Sequence, residues 1–409
     1  MLSHKEKQLI KKEETFCSNT YNPLPVVLKK GKGVYVWDVH CKKYLDFLSS
    51  YSAVNQGHCN RKILRSFTRQ ARRLTLTSRA FYNSELGDSL EYITKTFGYD
   101  KMLPMNSGAE AVESAIKICR KWGHEVKGIK KDFAKIITCK GNFHGRTTTI
   151  ISFSSSKGSK ENFGPLTPGF EIIDYNNIKQ LEDVLIKDKN IAGFLVEPIQ
   201  GEGGVVVPDD GYLSKAKKLC EKYNVLFIAD EIQTGIGRTG KLLASWHEDI
   251  VPDIVILGKA LSAGFYPVSG VLTSKEIMSV MQVGSHGSTF GGNPLAGVVA
   301  KASIKYTLDY KLSENAENLG KIFRDGLEEI KSRRKIIKGI RGKGLLNAII
   351  LDCDIKSKIP WNICLNMKDN GLLAKSTQGN KIRFAPPLVI NKRQINKALK
   401  IIDLSLSEF

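Results

Sequence analysis

Two charged residues stand at the ends of apolar runs, where charge is least expected. Lys259 follows PDIVILG, and Asp230 ends VLFIAD 29 residues earlier. A lysine is almost never fully buried without a partner, because its ammonium loses its water. In apolar surroundings its pKa falls, and the free amine becomes a nucleophile able to condense with a carbonyl. An aspartate ending a second strand offers an anion close by. An amine for an aldehyde and an anion for a protonated ring nitrogen are the two demands of a pyridoxal cofactor. Lys259 alone reads better as a surface lysine; the pair, in this setting, reverses that and carries the inference.

Other segments offer matching chemistry. Ser107 and Gly108 precede a helix-like stretch, and the free N–H groups of a helix start bind phosphate. Ser107 with Glu110 is also a capping box, and the two roles are compatible. In GNFHGRT (141–147), Phe143 could stack on a flat heterocycle and Arg146 could clamp a carboxylate. The same loop reads as a core phenylalanine beside a solvated arginine. In EPIQGEGG (197–204), Glu197 before Pro198 reads as structural and Glu202 as the site candidate. HGSTFGGNP (286–294) supplies hydroxyls and free amides suited to phosphate, and KIRFAPPL puts Arg383 on a short strand before a rigid Pro-Pro turn.

The elements that must position these residues alternate. Strands are expected at 134–140, 191–198, 225–231, PDIVILGK and YPVSGVLT, with helices at 109–124 and 211–224. Nearly continuous apolar strands between helices mean a parallel or mixed α/β sheet covered on both faces. Ligands of such sheets sit at the carboxyl ends of strands, where Asp230 and Lys259 fall. GKGVYVWDVHCKKYLDF reads as an antiparallel ribbon, 296–332 as mainly helical, and the rest as a smaller mixed unit. The expected division is an N-terminal segment (1–50) packing with the small domain, a large domain (51–295) and a C-terminal small domain (296–409).

The 409 residues suffice for a large core plus a smaller domain. The net charge of +21 is spread in short clusters, without zinc spacing or an RNA-binding aromatic signature. We therefore expect a solvated basic surface that favours anionic substrates, with no nucleic-acid partner and no metal. No run approaches the roughly 18 apolar residues of a membrane span. The eight cysteines form no CxxC, which fits a reducing compartment. The first 14 residues hold three Glu, no Arg and no apolar signal core, so a cytoplasmic location is expected.

In order along the chain, NSGAEAVE, GNFHGRT, EPIQGEGG, ADEIQTGIGRTG, LGKALSAG, HGSTFGGNP and RFAPPL resemble the class III pyridoxal-phosphate aminotransferases of fold type I. YNPLPVVL, FLSSYSAVNQGHC, LTLTSRAFYN and GLLAK are similar to the ornithine-handling branch, and the match runs from Tyr21 to the C-terminus. The resemblance implies an α/β large domain, its mixed, mainly parallel sheet covered by helices, plus a smaller α+β C-terminal domain. It implies that Lys259 binds pyridoxal 5'-phosphate covalently and that Asp230 pairs with the ring nitrogen. Gln233 would bond the phenolic oxygen, and Phe143 and Ile232 would sandwich the ring. Ser107, Gly108 and Ala109 would hold the phosphate, with Ser288 and Thr289 from a second subunit of a homodimer with shared active sites. Arg146, Tyr21 and Tyr51 would line the donor pocket, and Glu202 would mask Arg383. The implied reaction moves the δ-amine of L-ornithine to 2-oxoglutarate, giving glutamate 5-semialdehyde and glutamate. N-acetylornithine or 4-aminobutyrate is the alternative donor. An aminomutase and a basic nucleic-acid-binding protein on an inactive fold are the more distant rivals. The short leader before Tyr21 and the high positive charge lie outside the resemblance.

Overall fold

The computed structural model describes residues 2–409. The apolar runs form one seven-stranded sheet: β1 (Lys101–Met105), β2 (Lys135–Cys139), β3 (Phe170–Ile173), β4 (Ile191–Val196), β5 (Leu226–Asp230), β6 (Ile254–Leu257) and β7 (Ser269–Thr273). Their order is β1-β7-β6-β5-β4-β2-β3. Only β7 runs antiparallel to its neighbours, β1 and β6, so the sheet is mixed and mainly parallel. Strands β4 to β7 are buried at every residue, as strands covered on both faces must be.

Alternation along the strands builds two cores. Ile137, Phe194, Val196, Phe227 and Ala229 face one side, packed with Leu213, Ala216, Ala296, Ala300 and Ile304 from helices Tyr212–Lys222 and Pro294–Asp309. Ile136, Leu195, Leu226 and Ile228 face the other, against Val112, Ala115, Ile116 and Cys119 of helix Gly108–Glu125. β1 contains Pro104, and its edge position spares the sheet a missing donor.

The ribbon forms as expected from Tyr35–Asp38 and Lys43–Asp46, and gains Leu28–Lys32 and the short Leu372–Leu373. A second, antiparallel sheet joins Ile337–Lys343, Leu346–Leu351, Lys381–Phe384 and Lys375–Thr377. Val34, Leu45 and Phe47 of the ribbon region share a core with Phe323, Phe384 and Leu388. This packing supports the three-part division that we propose (1–50, 51–295, 296–409), with helix Pro294–Asp309 shared across the last boundary.

Arg238 ties the large and C-terminal parts together. Fully buried, it donates through Nη1 to Leu345 O at 3.0 Å and Pro386 O at 2.6 Å, and through Nη2 to Asn55 Oδ1. Burial pulls its pKa down to about 9. Arg238→Met fills similar space without donors and leaves three buried acceptors unpaired. It should lower stability by roughly 3 kcal/mol or more. Thermal unfolding checks this, and an unchanged midpoint would show that the three acceptors find other donors.

Candidate active site

Past the last residue of β6 the chain turns sharply. Lys259 opens a single 3-10 turn with φ 38°, in the left-handed region that non-glycine residues seldom adopt. Ser262 Oγ donates to Lys259 O at 2.7 Å and holds the turn. The lysine borders a cavity of about 190 Å³ that is also lined by Gly108, Ala109, Phe143, His144, Glu197, Glu202, Asp230, Ile232 and Gln233. Burial lowers its pKa, although Glu202 and Asp230 pull the other way. The strain, the cavity and the depressed pKa together suit a reactive amine.

Asp230 ends β5 with both oxygens engaged. Oδ1 accepts the Ile232 N–H at 3.0 Å, and Oδ2 lies 2.6 Å from His144 Nδ1. Burial disfavours charge on His144, but the hydrogen bond and charge of Asp230 outweigh it and raise its pKa. His144 Nε2 is buried without a partner. His144 carries no signal of this role in the sequence, because only folding brings it to Asp230. Glu197 was read as structural, yet it lines the cavity and accepts the Phe143 N–H at 3.0 Å. Burial raises its pKa to about 8.

Small residues make the floor. A Cβ on Gly108 would lie 3.0 Å from Ile232 Cδ1, so glycine lets the helix start approach that side chain. The capping box forms: Ser107 Oγ accepts the Glu110 N–H at 3.2 Å, and Glu110 accepts the Ser107 N–H at 2.6 Å. Gly201 leaves room for Gln233, whose amide oxygen a Cβ would overlap. Gln233 Nε2 donates to Tyr51 O at 3.3 Å and reaches Glu202 Oε1 at 3.5 Å.

Glu202 and Arg383 meet as an ion pair, Oε1 to Nη1 at 2.6 Å, with Arg383 also donating to Gly201 O at 3.2 Å. Arg383 is buried. Desolvation raises the Glu202 pKa, but Arg383 and then Lys259 lower it further, so the net shift is downward. The half-buried Tyr51 ring lies 5.2 Å from the Arg383 guanidinium carbon.

Seven expected residues lie outside the cavity wall: Ser107, Tyr51, Arg383, Tyr21, Arg146, Ser288 and Thr289. Tyr21 is 75% exposed. Arg146 is exposed, its guanidinium carbon 5.5 Å from the Phe143 ring. Thr289 is exposed, and Ser288 Oγ accepts from Asn106 Nδ2 at 2.9 Å and from the Gly291 N–H at 3.0 Å.

An amine, an anchored carboxylate, a helix start and a masked guanidinium at the carboxyl ends of one sheet suit amine transfer on a ring cofactor. Comparisons with known proteins agree. Residues 16–406 match the family Aminotransferase class-III. A Drosophila melanogaster protein named ornithine aminotransferase, mitochondrial, is 54% identical over 391 residues, 96% of this chain and 89% of the relative. The solved ornithine aminotransferase of Toxoplasma gondii superposes with a TM-score of 0.96 at 48% identity, covering 99% of this chain and 95% of that one. An acetylornithine aminotransferase from Elizabethkingia anophelis gives a TM-score of 0.91 at 54% identity, with 99% of each chain covered. The chain belongs to the class III aminotransferases.

Glu197 makes the site sensitive to pH. Its pKa of about 8 lies above the ordinary 4.5, so the folded state holds a proton that the unfolded state releases between these values. Stability of the cofactor-free protein should therefore fall as pH rises from 4.5 to 8. Glu197→Gln should flatten that decline, as read from unfolding midpoints across the range. A decline equally steep in the variant would place the titration elsewhere.

Proposed function

We propose that this class III aminotransferase carries the δ-amino group of L-ornithine to 2-oxoglutarate through pyridoxal 5'-phosphate, giving glutamate 5-semialdehyde and glutamate. The observation that supports it most is the Glu202–Arg383 pair at the cavity that holds Lys259. The residues present fit the cofactor: His144 holds Asp230 while its own buried Nε2 has no partner, and Gly108 lets a helix start approach Ile232 at the cavity. Lys259 would hold it covalently, Asp230 at its ring nitrogen, Gln233 at its phenolic oxygen, Phe143 and Ile232 at its faces, and Ser107, Gly108 and Ala109 at its phosphate. When bound, it supplies an aldehyde for the donor amine and a ring that withdraws electrons from the carbon losing a proton.

The chain does the rest. Burial lowers the Lys259 pKa and so favours the free amine, whose Nζ would take a proton from the donor carbon and return it at the other end of the transfer. His144 fixes the Asp230 carboxylate so that its negative charge stays where the protonated ring nitrogen needs it. Glu202 neutralises Arg383 while the donor's distal amine enters. When the pair opens, Arg383 takes the α-carboxylate of glutamate or 2-oxoglutarate bidentately. Arg146 would hold the ornithine carboxylate far from the reacting carbon, with Tyr51 and Tyr21 near its α-amine.

Arg146, Tyr21, Ser288 and Thr289 stand outside the single-chain cavity, which supports a homodimer with shared sites. Val283 and Phe290, in the same loop as Ser288, are exposed, as interface residues of a free chain would be. The eight free cysteines support a reducing compartment, and within that we propose the cytoplasm, although the fly relative is named mitochondrial. A fluorescent fusion at the C-terminus decides between them. Among the described residues no helix is long and apolar enough to cross a membrane. The acetylornithine enzyme at 54% identity makes an acylated donor the specific second reading. A donor panel with 2-oxoglutarate separates the two: ornithine well above N-acetylornithine and 4-aminobutyrate is expected, and the reverse order overturns the reading.

Glu202→Ala should expose Arg383 to α-carboxylates in both half-reactions. The ratio of single-turnover rates for ornithine over glutamate should fall roughly tenfold or more, the scale of a charge-assisted hydrogen bond. Losing one partner of a buried pair also costs about 3–5 kcal/mol, so folding is checked first. An unchanged ratio would make Glu202 structural.

Shared sites predict complementation. In heterodimers of Lys259→Ala with Thr289→Ala, one site should collect both defects and leave the other intact, so mixed chains regain activity that neither parent has. A fully active monomer in sedimentation would contradict this.

A further inference from the structure

We infer that Asp46, braced by His58, is a positioning residue for donor selectivity: it fixes the left-handed turn that sets Tyr51 beside Arg383. The inference rests on the donor reading above.

Ser49, Ser50, Tyr51 and Ser52 have φ of 51°, 49°, 59° and 72°, four consecutive non-glycine residues in the left-handed region. L-residues avoid it because Cβ crowds the following carbonyl, so a run of four persists only where its surroundings over-determine it. The constraint at its start is Asp46, at the end of strand Lys43–Asp46. Oδ1 accepts both the Leu48 and Ser49 N–H groups at 2.9 Å. Within the turn, the Ala53 N–H donates to Ser49 O at 2.8 Å.

The other oxygen of Asp46 is held as firmly. Oδ2 lies 2.7 Å from His58 Nε2. His58 is pinned by its backbone, donating to Gly33 O at 2.8 Å and accepting the Gly33 N–H at 2.9 Å. Its side chain lies against Gly31, where a Cβ would come within 2.9 Å of it. The chain of constraint therefore runs from ribbon to His58, to Asp46, to the turn.

The turn delivers Tyr51 to the donor end of the site. Its ring is 5.2 Å from the Arg383 guanidinium carbon, and its carbonyl accepts from Gln233 Nε2 at 3.3 Å. Glu202 meets both Arg383 and Gln233. The Asp46 carboxylate hydrogen-bonds Leu48, Ser49 and His58, none of which lines the cavity, and it acts through Tyr51.

The test uses the holoenzyme and the ratio of single-turnover rates for ornithine over glutamate. A merely structural Asp46 would slow both donors alike and leave their ratio fixed. Asp46→Ala should lower the ratio roughly tenfold, Tyr51→Ala should shift it the same way, and the double variant should fall no further than the larger single effect. Asp46→Asn keeps an acceptor for the two N–H groups and should restore most of the ratio. A folded Asp46→Ala with the parent ratio overturns the inference, as do single effects that multiply in the double variant. If Asp46→Ala does not fold, His58→Ala is read in the same assay, where a fall of roughly threefold is expected and an unchanged ratio overturns the inference. If the parent prefers another amine donor, the donor reading fails, and the same ratio taken with that donor still decides the role of Asp46.

Discussion

The structure depends on keeping opposite charges together where water is scarce. Glu202, Asp230, Arg383 and Glu197 all act on the charge of Lys259, which sits in a cavity at the carboxyl ends of the sheet. Alone, each would carry a heavy desolvation cost. Together they hold a depressed lysine, an anchored aspartate and a masked arginine, which are the three states that amine transfer needs. The buried strands behind them form a rigid platform, and the strain at Lys259 is tolerated because β6 and the turn after it are locked on both sides.

That arrangement was partly legible in the sequence. Lys259 and Asp230 announce themselves as a pair, because two charges at the ends of neighbouring apolar runs match the two demands of one cofactor. The strands bearing them read correctly because both faces are buried. The ribbon strand Leu28–Lys32 was invisible, since LKKGK is mostly exposed and carries no alternating pattern. Strand β1 was hidden by Pro104, which is tolerated only at an edge, and β3 was too short to stand out. His144 looked like part of a solvated loop until tertiary packing put it against Asp230. Ser49–Ser52 contains no glycine to signal its left-handed course, so its dependence on Asp46 and His58, close in sequence but joined only by folding, could not be read.

The positive charge also resolves into particular contacts. Lys30 and Lys43 lie 5.1 and 5.7 Å from the Trp37 ring, and Lys43 lies 3.7 Å from that of Tyr35. These ammonium groups lie over aromatic surface on the ribbon.

The most direct measurement uses ornithine labelled with ¹⁵N at the δ-nitrogen alone and unlabelled 2-oxoglutarate. The masked Arg383 predicts that the glutamate formed carries the label. Unlabelled glutamate would mean that the α-amine is transferred, and would contradict the role given to the Glu202–Arg383 pair.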